Sequence, residues 1–271
     1  MAIKAIAMDI DGTLTNDQKV IGPRTREKLL AAQESGIKLI LASGRPAWGL
    51  HALAQELDLQ NHDGLLVAFN GAHVVDAQTD EVLFDQAMPA DELHRLIDHL
   101  QNYDVIPMIS LGRDLHVEDS YRCMITLPDG SQKNIVKYER DACDLKIREV
   151  ESLHEVVDTY PVDKLLTAGD PTYLQAHYEE MYAPFTQTLS GMFTADWYFE
   201  YTAPGIDNDA VHVKDNGVER KCGHGTLPNK RTPANRRPSH ALIGDSNPAA
   251  YPAPPQCHLR CYRRSPSGLQ P

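Results

Sequence analysis

The chain has few of the features that mark a specialised class. Its five cysteines among 271 residues are odd in number and loosely spaced, which excludes a small disulfide-stapled scaffold. No apolar run approaches a membrane span, and Met1-Ala2-Ile3-Lys4 lacks the design of a signal peptide. Positive charge is also short: a formal net charge of −12 argues against a nucleic-acid or anionic-membrane surface. Hydrophobic content of 42% and charged content of 24% are ordinary for a water-soluble globular chain, long enough for one large or two modest domains. A reduced, cytoplasmic protein with neither nucleic acid nor membrane as partner is the expectation.

What is present is organised around the stretch from Ile3 to Thr13. Ile3 to Met8 is a nearly continuous apolar run, which reads as a buried parallel strand. It ends in Asp9-Ile10-Asp11-Gly12-Thr13. Ligands of open α/β sheets bind just beyond the carboxyl ends of the strands, and residues two apart share a strand face, so both carboxylates can converge there. Gly12 lets the chain turn, and the following N–H groups and the Thr13 hydroxyl suit an anion. Two acids held so close repel, which a hard cation such as Mg²⁺ relieves.

The next elements repeat the alternation. Gly22-Pro23 opens a helix that Gly36 closes, and Ile37 to Ala42 forms a second apolar strand ending in Ser43-Gly44-Arg45. Strand–helix–strand alternation predicts a doubly wound α/β fold, so Ser43 reaches the same sheet edge as Asp9. Its hydroxyl and the Gly44 N–H can donate to a phosphate oxygen, although a serine there can equally cap a helix over Trp48 to Leu57. Arg45 can pair with a phosphate or with a nearby acid. A third strand, Leu65 to Phe69, stops at Asn70-Gly71, a turn between strands.

Asp9-x-Asp11-Gly12-Thr13, Ser43-Gly44-Arg45 and Phe69-Asn70-Gly71-Ala72 together resemble the haloacid dehalogenase superfamily, in its Cof-type sugar-phosphatase branch (subfamily IIB). The resemblance covers about residues 1–207. It implies a Rossmann-like core with an inserted α+β cap, and a Mg²⁺-dependent phosphatase acting on small phosphorylated metabolites such as sugar phosphates. Asp9 would be the nucleophile that forms an aspartyl-phosphate and ligates the metal. Asp11 would be the general acid/base, also at the metal. Thr13, Ser43 and Gly44 would hold the phosphoryl group. A phosphomutase of the same superfamily uses the same intermediate.

From about Val82 the periodicity changes to helices (Ala90 to Gln101, Pro171 to Tyr182) mixed with short strands (Ile106 to Ser110, Asp114 to Val117, Val162 to Thr167, Trp197 to Tyr201). The expected division is therefore 1–82 for the first part of the core, 83–201 for the cap, and 202–271 for the core return and an atypical tail. Arg113, Asp114 and His116 are cap-loop candidates, more simply read as solvated polar residues.

After Asp207 the pattern breaks. The resemblance calls for a lysine opening a helix and then Gly-Asp-x-x-Asn-Asp, but Asn208-Asp209-Ala210 stands in the lysine's place. Lys214 comes late as a phosphate-binding lysine, and Ala241 to Asn247 carries only the start of the second motif, with Asp245 as a further metal carboxylate. Residues 208–271 hold ten basic and four acidic residues, a net +6 that leaves −18 for the preceding part, together with nine of the 18 prolines. Such a segment reads as loop rather than as the missing strands and helices. We read it as a frameshifted end, which would leave the protein catalytically impaired; a basic, proline-rich interaction tail is the alternative. A response-regulator-like phosphoacceptor is a third reading, disfavoured by the inserted unit. Translating the gene's other two frames is expected to produce the lysine-opened helix and the Gly-Asp-x-x-Asn-Asp motif; neither frame containing them would rule out a frameshift.

Overall fold

The computed structural model describes residues 3–126, 130–206, 211–215 and 218–222, and two sheets dominate it. The first joins β1 (Ala5–Asp9), β2 (Lys38–Ala42), β3 (Leu65–Ala68), β4 (His73–Asp76) and β5 (Val82–Asp85), hydrogen-bonded in that order. β1, β2 and β3 are parallel, and β4 and β5 return antiparallel as a hairpin. Helices α1 (Pro23–Glu34) and α2 (His51–Glu56) lie on the two connections between the parallel strands. The apolar runs do not alternate with polar residues because both faces are buried. Leu39, Leu41 and Leu66 pack into one core, while Ala7, Ile40, Ala42 and Val67 pack into another on the opposite face. Truncating such a leucine to alanine costs roughly 2–5 kcal/mol.

The second sheet follows α3 (Ala90–Leu100) and is built from β6 (Ile106–Leu111), β7 (Asp114–Val117), β10 (Lys146–Glu149), β11 (Lys164–Ala168), β12 (Ser190–Ala195) and β13 (Tyr198–Thr202). Its order is β10-β7-β6-β11-β13-β12, antiparallel except for the β10–β7 pair. A small separate hairpin, β8 (Met124–Thr126) with β9 (Gln132–Asn134), leads into α4 (Ile135–Cys143). Residues of α3, α5 (Leu153–Thr159) and α6 (Pro171–Tyr182) share one apolar cluster, whereas those of α4 join Met108, Leu115 and Leu166 in another. Side-chain caps start three of these helices: Asn134 accepts from the Lys137 amide, Ser152 from His154, and Asp170 from Thr172 and Tyr173.

This is the expected α/β architecture with a mixed second unit, and α6 and β7 keep their expected bounds. The strands expected at Val162 and Trp197 begin instead at Lys164 and Tyr198. The helix expected from Trp48 to Leu57 starts as a 3-10 turn, Ala47–Leu50, before α2. Beyond Ile206, β14 (Val211–Asp215) and β15 (Val218–Cys222) pair as an antiparallel hairpin, with β14 beside the Phe69–Gly71 turn. No helix among the described residues is long and apolar enough to cross a membrane.

The chain crosses between the sheets at a seam. There the Gln86 side chain donates to Pro204 O (3.0 Å), and the Met88 amide donates to Val162 O (2.8 Å). Three groups from both sides meet at this seam: His73 Nδ1 lies 2.7 Å from Asp85 Oδ1 and 3.5 Å from Asp163 Oδ2. Burial, and then the charge of Asp85, push the Asp163 carboxyl up to about 8 from 3.8. The folded chain therefore keeps a proton that the unfolded chain has lost, and stability falls as pH rises from about 3.8 to about 8. Asp163→Asn removes this slope. In urea unfolding, the variant's stability relative to the parent is expected to rise between pH 5 and pH 8; a difference independent of pH would refute the assignment.

Candidate active site

The parallel register between β1 and β2 sets Asp9 opposite Ala42, so Asp9 and Ser43 leave the same edge of the sheet. The turn after Asp9 is tight. The Leu14 amide donates to Asp9 O (3.1 Å), and the Thr13 and Thr15 amides donate to Ile10 O (3.4 and 2.9 Å). Gly12 makes the turn possible at φ +75°. The amides of Thr13, Leu14 and Thr15 therefore close the turn instead of facing an anion. Carbonyls buried at the foot of the turn require those donors. The Thr13 hydroxyl donates to Asp9 Oδ2 at 3.3 Å.

Asp11 reaches toward cations. Lys19 Nζ is 2.8 Å from its Oδ1, and Arg45 Nη2 is 3.0 Å from each carboxylate oxygen. Burial on its own would raise this carboxyl. The Lys19 hydrogen bond and the Arg45 charge outweigh burial and hold it below the ordinary 3.8. Arg45 uses its other terminal nitrogen to donate to Ala142 O (3.1 Å) near the end of α4, so one guanidinium spans both units. Of the two partners open to Arg45 in the sequence, the structure shows the acid.

Ser43 is buried. Its amide donates to Val67 O (2.9 Å), and its Oγ accepts from the Arg45 amide (3.2 Å), which leaves the hydroxyl proton to donate. It is therefore no helix cap: the 3-10 turn begins at Ala47, after Pro46. Gly44 is required sterically, because a Cβ there would stand 2.5 Å from Asn70 Oδ1. Asn70 itself sits at φ +59°, a conformation asparagine tolerates better than most residues.

The second unit closes over this edge. Trp48 Nε1 donates to Asp144 O (3.0 Å), and a Cβ on Gly49 would meet Cys143 Cβ at 3.2 Å. The Arg113 guanidinium lies 4.9 Å from the centre of the Trp48 ring and pairs with Asp144 (2.8 Å). Asp114 pairs with Arg148 (3.1 Å) and His116 is buried in β7, so structural roles account for these cap candidates.

The structure thus gathers Asp9, Asp11, Thr13, Ser43 and Gly44 at one sheet edge. Lys214 falls on β14, where backbone alone is described, and Asp245 lies outside the described residues. The Asp9 carboxylate and the Asp11 carbonyl are hard oxygen donors of the kind Mg²⁺ takes, while the Asp11 side chain is engaged by two cations. The His73–Asp85–Asp163 group belongs to the seam, a separate place. Sequence reasoning missed Lys19, Lys164 and Glu200. For Glu200 a trace was present: a glutamate standing in the middle of an aromatic strand.

Comparison with known proteins agrees with this geometry. The haloacid dehalogenase-like hydrolase family matches residues 6–232. YxeH of Bacillus subtilis (strain 168) is 29% identical over 170 residues, which are 59% of this chain and 63% of that protein. Pyridoxal phosphate phosphatase YbhA of Escherichia coli (strain K12) is 32% identical over 105 residues, 39% of this chain and 38% of that one. The matched stretches thus span less than two thirds of either relative. Among solved structures, a haloacid dehalogenase-like hydrolase from Bacteroides thetaiotaomicron superposes with a TM-score of 0.68 at 28% identity, covering 77% of this chain and 74% of its own. The chain belongs to the haloacid dehalogenase-like hydrolases, in their Cof-type branch.

Proposed function

We propose that the protein is a Mg²⁺-dependent phosphatase of small phosphorylated metabolites, sugar phosphates among them, working through an aspartyl-phosphate on Asp9. The observation that carries the reading is the convergence of Asp9, Ser43 and the Arg45-bound Asp11 at one sheet edge. Relatives named as phosphatases, one of them for pyridoxal phosphate, support it. The core and cap divided at residues 83 and 201 belong to the same proposal, with the cap selecting the substrate.

Asp9 attacks phosphorus with one carboxylate oxygen, and the substrate's ester oxygen leaves. The Ser43 hydroxyl and Gly44 N–H hold the phosphoryl oxygens. The Asp9 carboxylate and the Asp11 carbonyl would hold Mg²⁺, which would supply charge neutralisation there. Asp11 protonates the leaving oxygen and then takes a proton from the water that opens the aspartyl-phosphate. As the structure stands Asp11 is ionised. The Lys19 hydrogen bond and the Arg45 charge both hold it so, and both cations must leave Asp11 before burial can favour the protonated form that the first step needs.

A chain impaired in catalysis is the second reading, favoured by Asn208-Asp209-Ala210 where a lysine is expected. One assay separates the two. Hydrolysis of p-nitrophenyl phosphate is expected to require Mg²⁺, to stop with chelator, and to fall roughly a thousandfold or more in Asp9→Asn and roughly a hundredfold or more in Asp11→Asn. Turnover persisting in Asp9→Asn would contradict the phosphatase mechanism. No turnover in the parent chain would establish the impaired reading.

A further inference from the structure

A buried charged network that the proposed chemistry does not use joins the second sheet to the turn at Ser43. Lys164 opens β11 and Glu200 lies on the neighbouring strand β13, where Leu166 faces Glu200 and Lys164 faces Thr202. Residues two apart on a strand share a face, so Lys164 and Glu200 meet diagonally across the pair. Lys164 Nζ is 2.8 Å from Glu200 Oε1, and their side chains are only 7% and 6% exposed. The other carboxylate oxygen of Glu200 accepts from Asn70 Nδ2 at 2.8 Å. The ammonium also donates to Gly44 O at 2.6 Å, crossing from the second unit into the core.

A buried ion pair is weak grounds for stability, because desolvation offsets most of the attraction. Its place gives it another use. The carbonyl of Gly44 and the amide of Arg45 belong to one peptide plane and point in opposite directions. Lys164 holds the carbonyl end of that plane, and the N–H end donates to Ser43 Oγ at 3.2 Å. A cation on a carbonyl also polarises its peptide and strengthens the N–H as a donor. Glu200 fixes the ammonium, and Asn70 anchors Glu200 while its amide bonds to Ser43 O at 3.2 Å.

We propose that Lys164 is a positioning residue that orients the Gly44–Arg45 peptide from the second sheet, and through it the Ser43 hydroxyl that receives the phosphoryl group. The inference rests on the phosphate-binding role given to Ser43 above. Lys164 stands at the seam end of its sheet, two residues after Val162, whose carbonyl accepts from the Met88 amide of the connecting segment. The contact thus lies close to the segment that connects the units.

The test is a double-mutant cycle read as inhibition of p-nitrophenyl phosphate hydrolysis by inorganic phosphate. Lys164→Met combined with Glu200→Gln removes the ammonium without stranding a buried carboxylate, and leaves Asn70 an acceptor. This pair is expected to weaken phosphate inhibition about tenfold, as Ser43→Ala does, the scale of one hydrogen bond to a charged group. Adding Ser43→Ala to the pair is expected to weaken it little further, because both changes act on the same hydroxyl. A purely structural loss would instead multiply with Ser43→Ala to about a hundredfold. That multiplication, or unchanged inhibition in the pair while Ser43→Ala weakens it, would overturn the inference alone. Unchanged inhibition in Ser43→Ala would remove the phosphate-binding role of the turn, and the inference with it. If circular dichroism shows the pair unfolded, Lys164→Gln with Glu200→Gln, which removes the ammonium and keeps polar groups at both positions, takes its place with the same expected outcomes.

Discussion

The parallel pairing of β1 with β2 is the constraint on which the rest depends. Because Asp9 stands opposite Ala42, the carboxylate and Ser43 leave the sheet side by side. A slip of one residue would turn Asp9 to the other face and bury it among the apolar residues that flank the strand. The two apolar clusters, one on each face of the sheet, prevent such a slip, since Met8, Leu39 and Leu41 on one face and Ala7, Ile40 and Ala42 on the other have packed environments to lose. The stability of the core and the geometry of the site are thus the same fact seen at two ends of one strand.

Charge organises what lies above that edge. Asp11 is surrounded by Lys19 and Arg45, and Arg45 is shared with the carbonyl of Ala142 on the other unit. The guanidinium therefore links three things: the protonation of Asp11, the position of the second unit, and any anion that enters between them. On the neighbouring residue of the same turn, Lys164 and Glu200 connect the second sheet to Gly44 and Asn70. The two units share one apolar cluster and are also joined by ionic and polar groups around the Ser43 turn. Those polar groups can exchange partners with a charged ligand.

Much of this was legible in the sequence, for physical reasons. Strands buried on both faces are continuous apolar runs, so β1, β2 and β3 stand out, and the residues that follow them mark the edge where ligands bind. The elements between 124 and 159 left little trace. β9 has three polar residues, Gln132–Asn134, and β10 is Lys146-Ile147-Arg148-Glu149, an edge strand mostly exposed to water. The pairing of Arg45 with Asp11 was open because an arginine at that position has two electrostatic partners of equal standing. The Lys164–Glu200–Asn70 network was out of reach, since its members are separated by 36 and 130 residues and meet only when the units fold together.

The central claim is that Asp9 carries the phosphoryl group covalently, and acid quenching during turnover tests it most directly. With a radiolabelled phosphate monoester, the account predicts label on the peptide containing Asp9, released by hydroxylamine and missing from Asp9→Asn. Turnover by the parent chain with no label on the protein, or with label on another residue, would contradict it.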